Sequence, residues 1–312
     1  MSRQDYFQTE HGDIHWAYNA PKDPGDHQIL WPTLLCIHAG VADHTLWDEQ
    51  VSYFSTKGWG VLRYDIFGYG LSKPTAKYLK TDPRPKVKHH EHAASIARNL
   101  IAMNTTPEGT SVAFSSKFVV IGLSRGGGIA IELTVAHPEL VCGLVVVAGN
   151  LTGIDAPNTA EEKALMGQWY TFMQVGEIEK AATIFTRFWG DGPSVKEVRI
   201  RQDVREKLYA WCADITRREA EKSGGGFCIP YEGTDPPAVE RLSTVKVPVA
   251  TATGKYDETS TTEGMRLISE KLEAVSVKEF DTAHMVNLEK PRAFNSWIEE
   301  YLEKYVTTCI ER

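Results

Sequence analysis

Residues 119–128 read Val-Val-Ile-Gly-Leu-Ser-Arg-Gly-Gly-Gly, so a β-branched run ends in the pattern Gly-x-Ser-x-Gly. A helix-like segment follows from Ile129 to Ala136 and ends before a proline. The pattern predicts a strand, a tight turn with Ser124 at its tip, and a helix. Glycines on both sides of the serine leave room for a strained turn that exposes the hydroxyl above the sheet edge. Ser124 is therefore a candidate nucleophile, and an ordinary glycine-rich turn is the alternative.

Two further strands are followed by side chains that would activate this serine. The run from Val275 to Phe280 predicts a strand, and His284 follows it in a loop. Residues 247–254 predict another strand, and Asp257 comes just after it. A histidine can accept the serine proton, and an aspartate can hold the histidine in the required tautomer. The chain order Ser, Asp, His therefore predicts a catalytic triad of Ser124, Asp257 and His284.

Two more segments carry motifs that accompany such a triad. Residues 34–41 read Leu-Leu-Cys-Ile-His-Ala-Gly-Val, and residues 65–72 read Asp-Ile-Phe-Gly-Tyr-Gly-Leu-Ser. Together with the serine and histidine motifs, they make the chain resemble the α/β-hydrolase superfamily, in its single-domain branch with a helical cap. The resemblance covers nearly the whole length, although Ala39 stands where the family usually has glycine. It implies an α/β fold with a mostly parallel central sheet, flanking helices and an inserted helical cap.

The apolar pattern predicts how the chain is organised. Several strands are nearly continuous apolar runs, which is typical of a parallel sheet covered by helices on both faces. After an N-terminal hairpin, the predicted strands are 33–37, 61–64, 118–122, 141–148, 247–253 and 275–280, and the predicted helices are 45–57, 90–103, 125–136, 262–272 and 292–305. We expect residues 1–150 and 243–312 to form the core, with the aromatic-rich residues 151–242 inserted as a helical lid over the strand ends. Residues 73–88 are expected to be a solvated basic loop, and a rim that attracts anionic substrates is the alternative.

The composition limits the partners and the compartment. The 312 residues include 34 basic and 41 acidic side chains, and the net charge of −7 argues against nucleic acid as a partner. No apolar run is long enough to span a membrane, and the first residues lack the apolar core of a signal peptide. The five cysteines form no Cys-x-x-Cys pair, as expected for thiols in a reducing compartment. We therefore expect a cytoplasmic monomer or homodimer that acts on a small molecule.

The resemblance also indicates which residues surround the reacting carbonyl. We expect the backbone N–H groups of Gly40 and Arg125 to form the oxyanion hole, with Val41 as the alternative to Gly40. Val41, His44 and Trp169 are expected to contact the substrate. These residues complete the predicted site around the triad.

Other residues compete for roles in the site. Asp155 lies in the loop after an earlier predicted strand, where some members of the superfamily carry the triad acid. Asp257 would instead cap the helix that follows it if Asp155 were the acid. His89 and His92 would share one helix face like a metal-binding pair, but no further ligand is evident nearby, so we expect no metal. Neither a P-loop nor a Gly-x-Gly-x-x-Gly motif occurs, so we expect no cofactor.

These features predict a serine hydrolase that cleaves a carboxylic ester or lactone of a small molecule through an acyl-enzyme. Hydrolysis of a C–C bond on the same triad is an alternative, although several such enzymes have Trp after the catalytic histidine and this chain has Met285. Acyl transfer is another outcome if the lid excludes water. A non-catalytic small-molecule binding protein of this fold is the alternative from a different class.

Overall fold

The computed structural model describes residues 2–22, 31–104, 115–154, 156–221 and 226–307. Within these ranges nine strands form one sheet: β1 Ser2–Gln8, β2 Gly12–Asn19, β3 Thr33–Ile37, β4 Val61–Tyr64, β5 Lys73–Pro74, β6 Phe118–Leu123, β7 Val141–Val147, β8 Val249–Gly254 and β9 Ser276–Phe280. Their spatial order is β1-β2-β4-β3-β6-β7-β8-β9, and β5 pairs with β2. The pairs that involve β1, β2 or β5 are antiparallel, and every other pair is parallel. The prediction of a mostly parallel sheet is confirmed.

The middle of this sheet forms the centre of the hydrophobic core. Every residue of β3 and β6 is buried, which explains why these strands are continuous apolar runs and do not alternate with polar residues. The described α-helices are α1 Asp48–Thr56, α2 Ala76–Lys80, α3 His89–Met103, α4 Arg125–Ala136, α5 Ala160–Gln174, α6 Ile178–Thr186, α7 Gln202–Ala220, α8 Thr259–Lys271, α9 Val286–Glu289 and α10 Pro291–Tyr301. The helix α4 packs against β6 and β7, so it fixes the turn that carries Ser124.

The basic segment 73–88 differs in part from the expected solvated loop. It contains β5 and the five-residue helix α2, and Thr75 caps this helix by accepting a hydrogen bond from the N–H of Tyr78 at 3.2 Å. The Tyr78 ring is buried and meets Phe67 edge to face, with 5.4 Å between the ring centroids. Most residues of the segment are exposed, as expected, but the expectation of a loop was wrong over β5 and α2, where the Tyr78 side chain packs in the core.

Three helices, α5, α6 and α7, lie between β7 and β8 in the chain, where the insertion was expected. The helix α5 begins with a capping box formed by Thr159 and Glu162. The second carboxylate oxygen of Glu162 accepts a hydrogen bond from the N–H of Thr259 at 2.7 Å, at the start of α8. On α7, Trp211 Nε1 donates to Asp43 Oδ2 at 3.1 Å. These bonds hold the inserted helices against the start of α8, which follows them in the chain, and against the loop after β3, which precedes them.

Main-chain pairing also connects the end of this insertion to the segment before α3. The N–H of Val87 donates to the carbonyl of Pro230 at 2.9 Å, and the N–H of Glu232 donates to the carbonyl of Val87 at 3.0 Å. The residue between the two, Tyr231, forms a parallel bridge with Val87. Within the described residues, no helix has both the length and the apolar character needed to cross a membrane.

Candidate active site

Ser124 lies in the sharp turn between β6 and α4, at the carboxyl edge of the sheet. Its backbone has φ 57° and ψ −120°, a strained conformation for a residue with a side chain. The turn is tight on both sides: a β-carbon on Gly122 would lie 2.1 Å from the carbonyl oxygen of Gly126, and one on Gly126 would lie 2.2 Å from that of Ile37. The N–H of Ser124 donates to the carbonyl of Val147 at 2.9 Å. The surrounding backbone therefore holds the serine in its strained conformation.

His284 lies in the loop after β9, and Asp257 lies in the loop after β8. His284 Nδ1 is 2.8 Å from Asp257 Oδ2 and 3.0 Å from Oδ1, and both side chains are buried. The N–H of Glu258 donates to Asp257 Oδ1 at 2.8 Å and so fixes the carboxylate. Burial by itself lowers the pKa of His284, but the charge of Asp257 and its hydrogen bond outweigh burial and raise the pKa above its ordinary value. This arrangement leaves Nε2 as the nitrogen that can exchange a proton.

Two further contacts hold the His284 loop. The Trp189 ring packs on the imidazole, with 4.4 Å between ring centroids and 45° between the planes. The N–H of Ala283 donates to Glu289 Oε1 at 2.8 Å, and Arg199 pairs with the other oxygen of Glu289 at 2.6 Å. Burial raises the pKa of Glu289 to about 7, despite the neighbouring Arg199 charge. The histidine is thus held by Asp257, by the Trp189 ring and by the backbone of the preceding residue, Ala283.

Ser124 and His284 both line one cavity of about 470 Å³. The other lining residues are Gly40, Val41, His89, Arg125, Gly128, Ile129, Asn150, Leu151, Thr152, Gly153, Ile154, Trp189, Phe227 and Tyr231. In the described part of the chain, no hydrogen bond joins the Ser124 hydroxyl to His284, although both residues line the same cavity. The cavity has the size of a small-molecule site.

The loop after β3 supplies one wall of the cavity through Gly40 and Val41. Its conformation is fixed by the buried His38, whose Nδ1 donates to the carbonyl of Ala39 at 2.7 Å and whose Nε2 accepts from the N–H of Ile66 at 2.9 Å. Burial lowers the pKa of His38, against the opposing charge of nearby acids, which favours the neutral ring that this bonding pattern requires. Gly40 and Arg125, the two residues whose N–H groups are the predicted donors, line the same cavity as Ser124.

The structure does not bring two of the predicted substrate contacts into the cavity. His44 Nδ1 bonds to Asp65 Oδ1 at 2.8 Å, and Trp169 stacks on Phe185 with 4.6 Å between centroids. Neither side chain is among the described residues that line the cavity, whereas Val41 is. The competing acid, Asp155, lies outside the described residues.

His89, one of the two α3 histidines (His89 and His92) that resemble a metal-binding pair in the sequence, has other neighbours than those of a metal site. His89 lines the cavity and stacks on Tyr231, with 5.8 Å between centroids and 12° between planes. Within the described ranges, one group of three possible metal ligands has all its ligand atoms within 4.8 Å of one another. It consists of His15, His44 and Asp65. Asp65 already accepts the N–H of His44 at 2.7 Å and the N–H of residue 71 at 2.8 Å, so it has a role in holding these turns.

Several cavity residues were missed by the reasoning from sequence. Trp189, Phe227 and Tyr231 come from the insertion, whose many aromatics gave no sign of which ones turn inward. The side chain of Arg125 was also missed, although its position beside the nucleophile in the Gly-x-Ser-x-Gly motif was a usable signal. His89 was considered only as a metal ligand.

Comparison with known proteins gives consistent matches. A family model described as the alpha/beta hydrolase fold matches residues 32–291. The curated 3-oxoadipate enol-lactonase 2 of Acinetobacter baylyi is 22% identical over 274 residues, which cover 88% of this chain and 90% of that protein. A hydrolase from Pseudomonas aeruginosa has a similar structure, with a TM-score of 0.68 and 18% identity over 96% of this chain and 98% of that one. The carboxylesterase CesB of Bacillus subtilis matches with a TM-score of 0.66 and 16% identity, covering 97% and 92% of the two chains.

Proposed function

This chain belongs to the alpha/beta hydrolase fold family, and we propose that it is a serine hydrolase that cleaves a carboxylic ester or lactone of a small molecule. The observation that carries the proposal is a single cavity lined by Ser124 and by His284, with His284 bonded to Asp257 through Nδ1. The similar lactonase of A. baylyi and carboxylesterase of B. subtilis support the choice of esters and lactones.

In the proposed reaction, the Ser124 hydroxyl attacks the carbonyl carbon of the substrate and His284 Nε2 accepts the hydroxyl proton. Asp257 accepts the Nδ1–H hydrogen bond, which fixes the tautomer and stabilises the imidazolium as it forms. His284 then donates this proton to the leaving alcohol oxygen as the C–O bond breaks, and the acyl group remains on Ser124. A water that gives its proton to the same imidazole hydrolyses the acyl-enzyme and regenerates the serine.

The tetrahedral intermediate carries a negative oxygen that needs hydrogen-bond donors. We assign these donors to the N–H of Arg125 and to the N–H of Gly40 or Val41 in the loop after β3. The N-terminus of α4 adds a favourable dipole at this position. Loss of one such donor typically lowers kcat by ~10²–10³-fold.

We also propose that residues 151–242 act as a lid on a core formed by residues 1–150 and 243–312. Support comes from the cavity wall, because Trp189, Phe227 and Tyr231 all belong to the inserted segment. Seven of the sixteen described residues that line the cavity lie in this segment, so a lid there can select the substrate by shape and limit the access of water.

The experiment that tests the proposed function is a pre-steady-state burst with p-nitrophenyl acetate. We expect a burst of p-nitrophenol, an acetyl adduct on Ser124 in the mass spectrum, and loss of both in Ser124→Ala. The exposed serine of α1 provides the matched control, and Ser52→Ala should retain the burst. A folded wild-type protein that releases no p-nitrophenol in a Ser124-dependent way, either in a burst or at steady state, would support a binding protein and refute the proposal.

A further inference from the structure

The side chain of Arg125 is a feature of the cavity that the proposed ester chemistry does not use. Its guanidinium carbon lies 5.3 Å from the ring centroid of Phe227 and 5.8 Å from that of Tyr69. A β-carbon built on Gly40 would lie 3.1 Å from Arg125 Nε, so the side chain runs beside the predicted oxyanion loop. The guanidinium is therefore positioned by aromatic contacts and lines the cavity that contains Ser124.

This guanidinium has no anionic partner within the residues that the structure describes, and none of the described residues that line the cavity is acidic. Other arginines near the site are paired: Arg199 binds Glu289 at 2.6 Å, and Arg205 binds Asp191. Arg125 thus gives the cavity a positive charge in a chain whose net charge is −7.

An unpaired guanidinium in a partly enclosed site is a strong binding group for an anion. Removing the charge from water costs free energy that the rings of Phe227 and Tyr69 return only in part, since cation–π contacts are weaker than ion pairs. A carboxylate matches the planar fork of the guanidinium with two parallel hydrogen bonds. The missing counter-charge is therefore best supplied by a ligand.

A second donor lies in the same wall. His89 is 1% exposed, and neither of its ring nitrogens has a hydrogen-bond partner in the described structure. Burial lowers the pKa of His89 well below its ordinary value, and the charge of Arg125 lowers it further, so the ring is neutral with one N–H to donate. The neighbouring Tyr231 hydroxyl already donates to Glu132 Oε1, so it is not the free donor.

From this arrangement we propose that the natural substrate carries a carboxylate, bound by the Arg125 guanidinium with His89 as a second donor, while its ester or lactone carbonyl lies at Ser124. The proposal rests on the proposed hydrolase function and adds the substrate class. Because Arg125 and Ser124 line one cavity of about 470 Å³, the carboxylate and the reacting carbonyl belong to the same small molecule.

The test compares each charged ester with a neutral counterpart of the same shape. The mono-p-nitrophenyl ester of adipic acid carries the carboxylate on the acyl side of the reacting ester, and the p-nitrophenyl ester of its monoamide carries a neutral amide there. Potassium para-acetoxybenzoate and para-acetoxybenzamide carry the carboxylate and the neutral amide, respectively, on the phenol leaving group. We expect kcat/KM to favour the charged member of at least one pair by about 10- to 100-fold, as for a hydrogen bond to a charged group.

Two variants and one control then locate the effect. In Arg125→Met, which keeps the backbone N–H, the charged-to-neutral ratio should fall to near one, and Arg125→Lys should retain part of the ratio. Arg217→Met removes one exposed positive charge from α7 and should leave the ratio unchanged. Circular dichroism and thermal melting establish that each variant is folded, and the wild-type ratio is informative without any variant.

The outcomes separate the substrate class from the hydrolase function. If the neutral esters are turned over in a Ser124-dependent way but neither pair shows a preference, the carboxylate proposal is wrong and the hydrolase function stands. If no ester is turned over, the function proposal fails, and calorimetry of Ser124→Ala with the same adipate pair still measures the preference. Equal affinity for the charged and neutral members there would overturn the carboxylate site.

Discussion

Replacing Asp257 with asparagine removes the charge of the proposed triad acid while keeping the size of the side chain. The carboxylate lies 2.8 Å from His284 Nδ1, and both side chains are buried. At an effective dielectric constant of about 20, unit charges at this distance attract each other by about 6 kcal/mol, or roughly 10⁴ in rate. The attraction arises only when His284 becomes an imidazolium, so it lowers the barrier and does not stabilise the free enzyme. We therefore expect Asp257→Asn to lower kcat/KM about 10⁴-fold.

The assay is hydrolysis of p-nitrophenyl acetate by purified wild type and variant, with thermal melting to show that both are folded. Asp281→Asn is the matched control, because Asp281 is an exposed carboxylate in the same loop as His284, and it should change the rate by less than about twofold. Activity of Asp257→Asn within about tenfold of wild type would refute the reasoning. If Asp155→Asn produced the large loss instead, Asp155 would be the triad acid.

Three further predictions follow from the same geometry. Protonated His284 cannot accept a proton and its pKa is raised, so kcat/KM should fall toward acid with a midpoint above its ordinary value of 6.5; a pH profile with a lower midpoint contradicts this. Gly126→Ala should destabilise the protein by about 1–3 kcal/mol in urea unfolding, because its β-carbon would lie 2.2 Å from the Ile37 carbonyl. Gly167→Ala, with nothing within 4 Å, should not destabilise it. Trp189→Leu removes the ring beside the imidazolium and should lower kcat about tenfold with little change in KM; a change in KM alone would indicate a substrate contact.

Much of the fold could be predicted because the residue types of the central strands directly reflect their burial in the sheet. Strands covered on both faces must be apolar along their whole length, so β3, β6 and β7 were evident as runs in the sequence. The turn at Ser124 was evident because only small neighbours allow helix and strand to approach so closely. The last helix was less accurate: the predicted helix 292–305 is α-helical only as far as Tyr301 and continues as π-helix over Leu302–Thr307.

The insertion could not be predicted to the same depth, because its aromatics serve two purposes. Trp169 packs on Phe185 within the insertion and donates to Thr216 at 3.1 Å, so it stabilises the helices themselves. Trp189 lies in a π-helical segment, Arg187–Asp191, where the wider turn changes the direction of the side chain. A 3.6-residue period cannot indicate such a change, so the residue that packs on the histidine was not distinguishable from those that fill the core.

The main-chain pairing of Val87 with residues 230–232 has a consequence for how specificity can vary. Bonds between backbone N–H and C=O groups do not depend on which side chains the paired residues carry. The segment that presents Tyr231 therefore keeps its position when that side chain is exchanged. Laboratory or natural diversification at this one position can therefore change the shape of the cavity, and so which molecules fit, without moving the backbone of that wall.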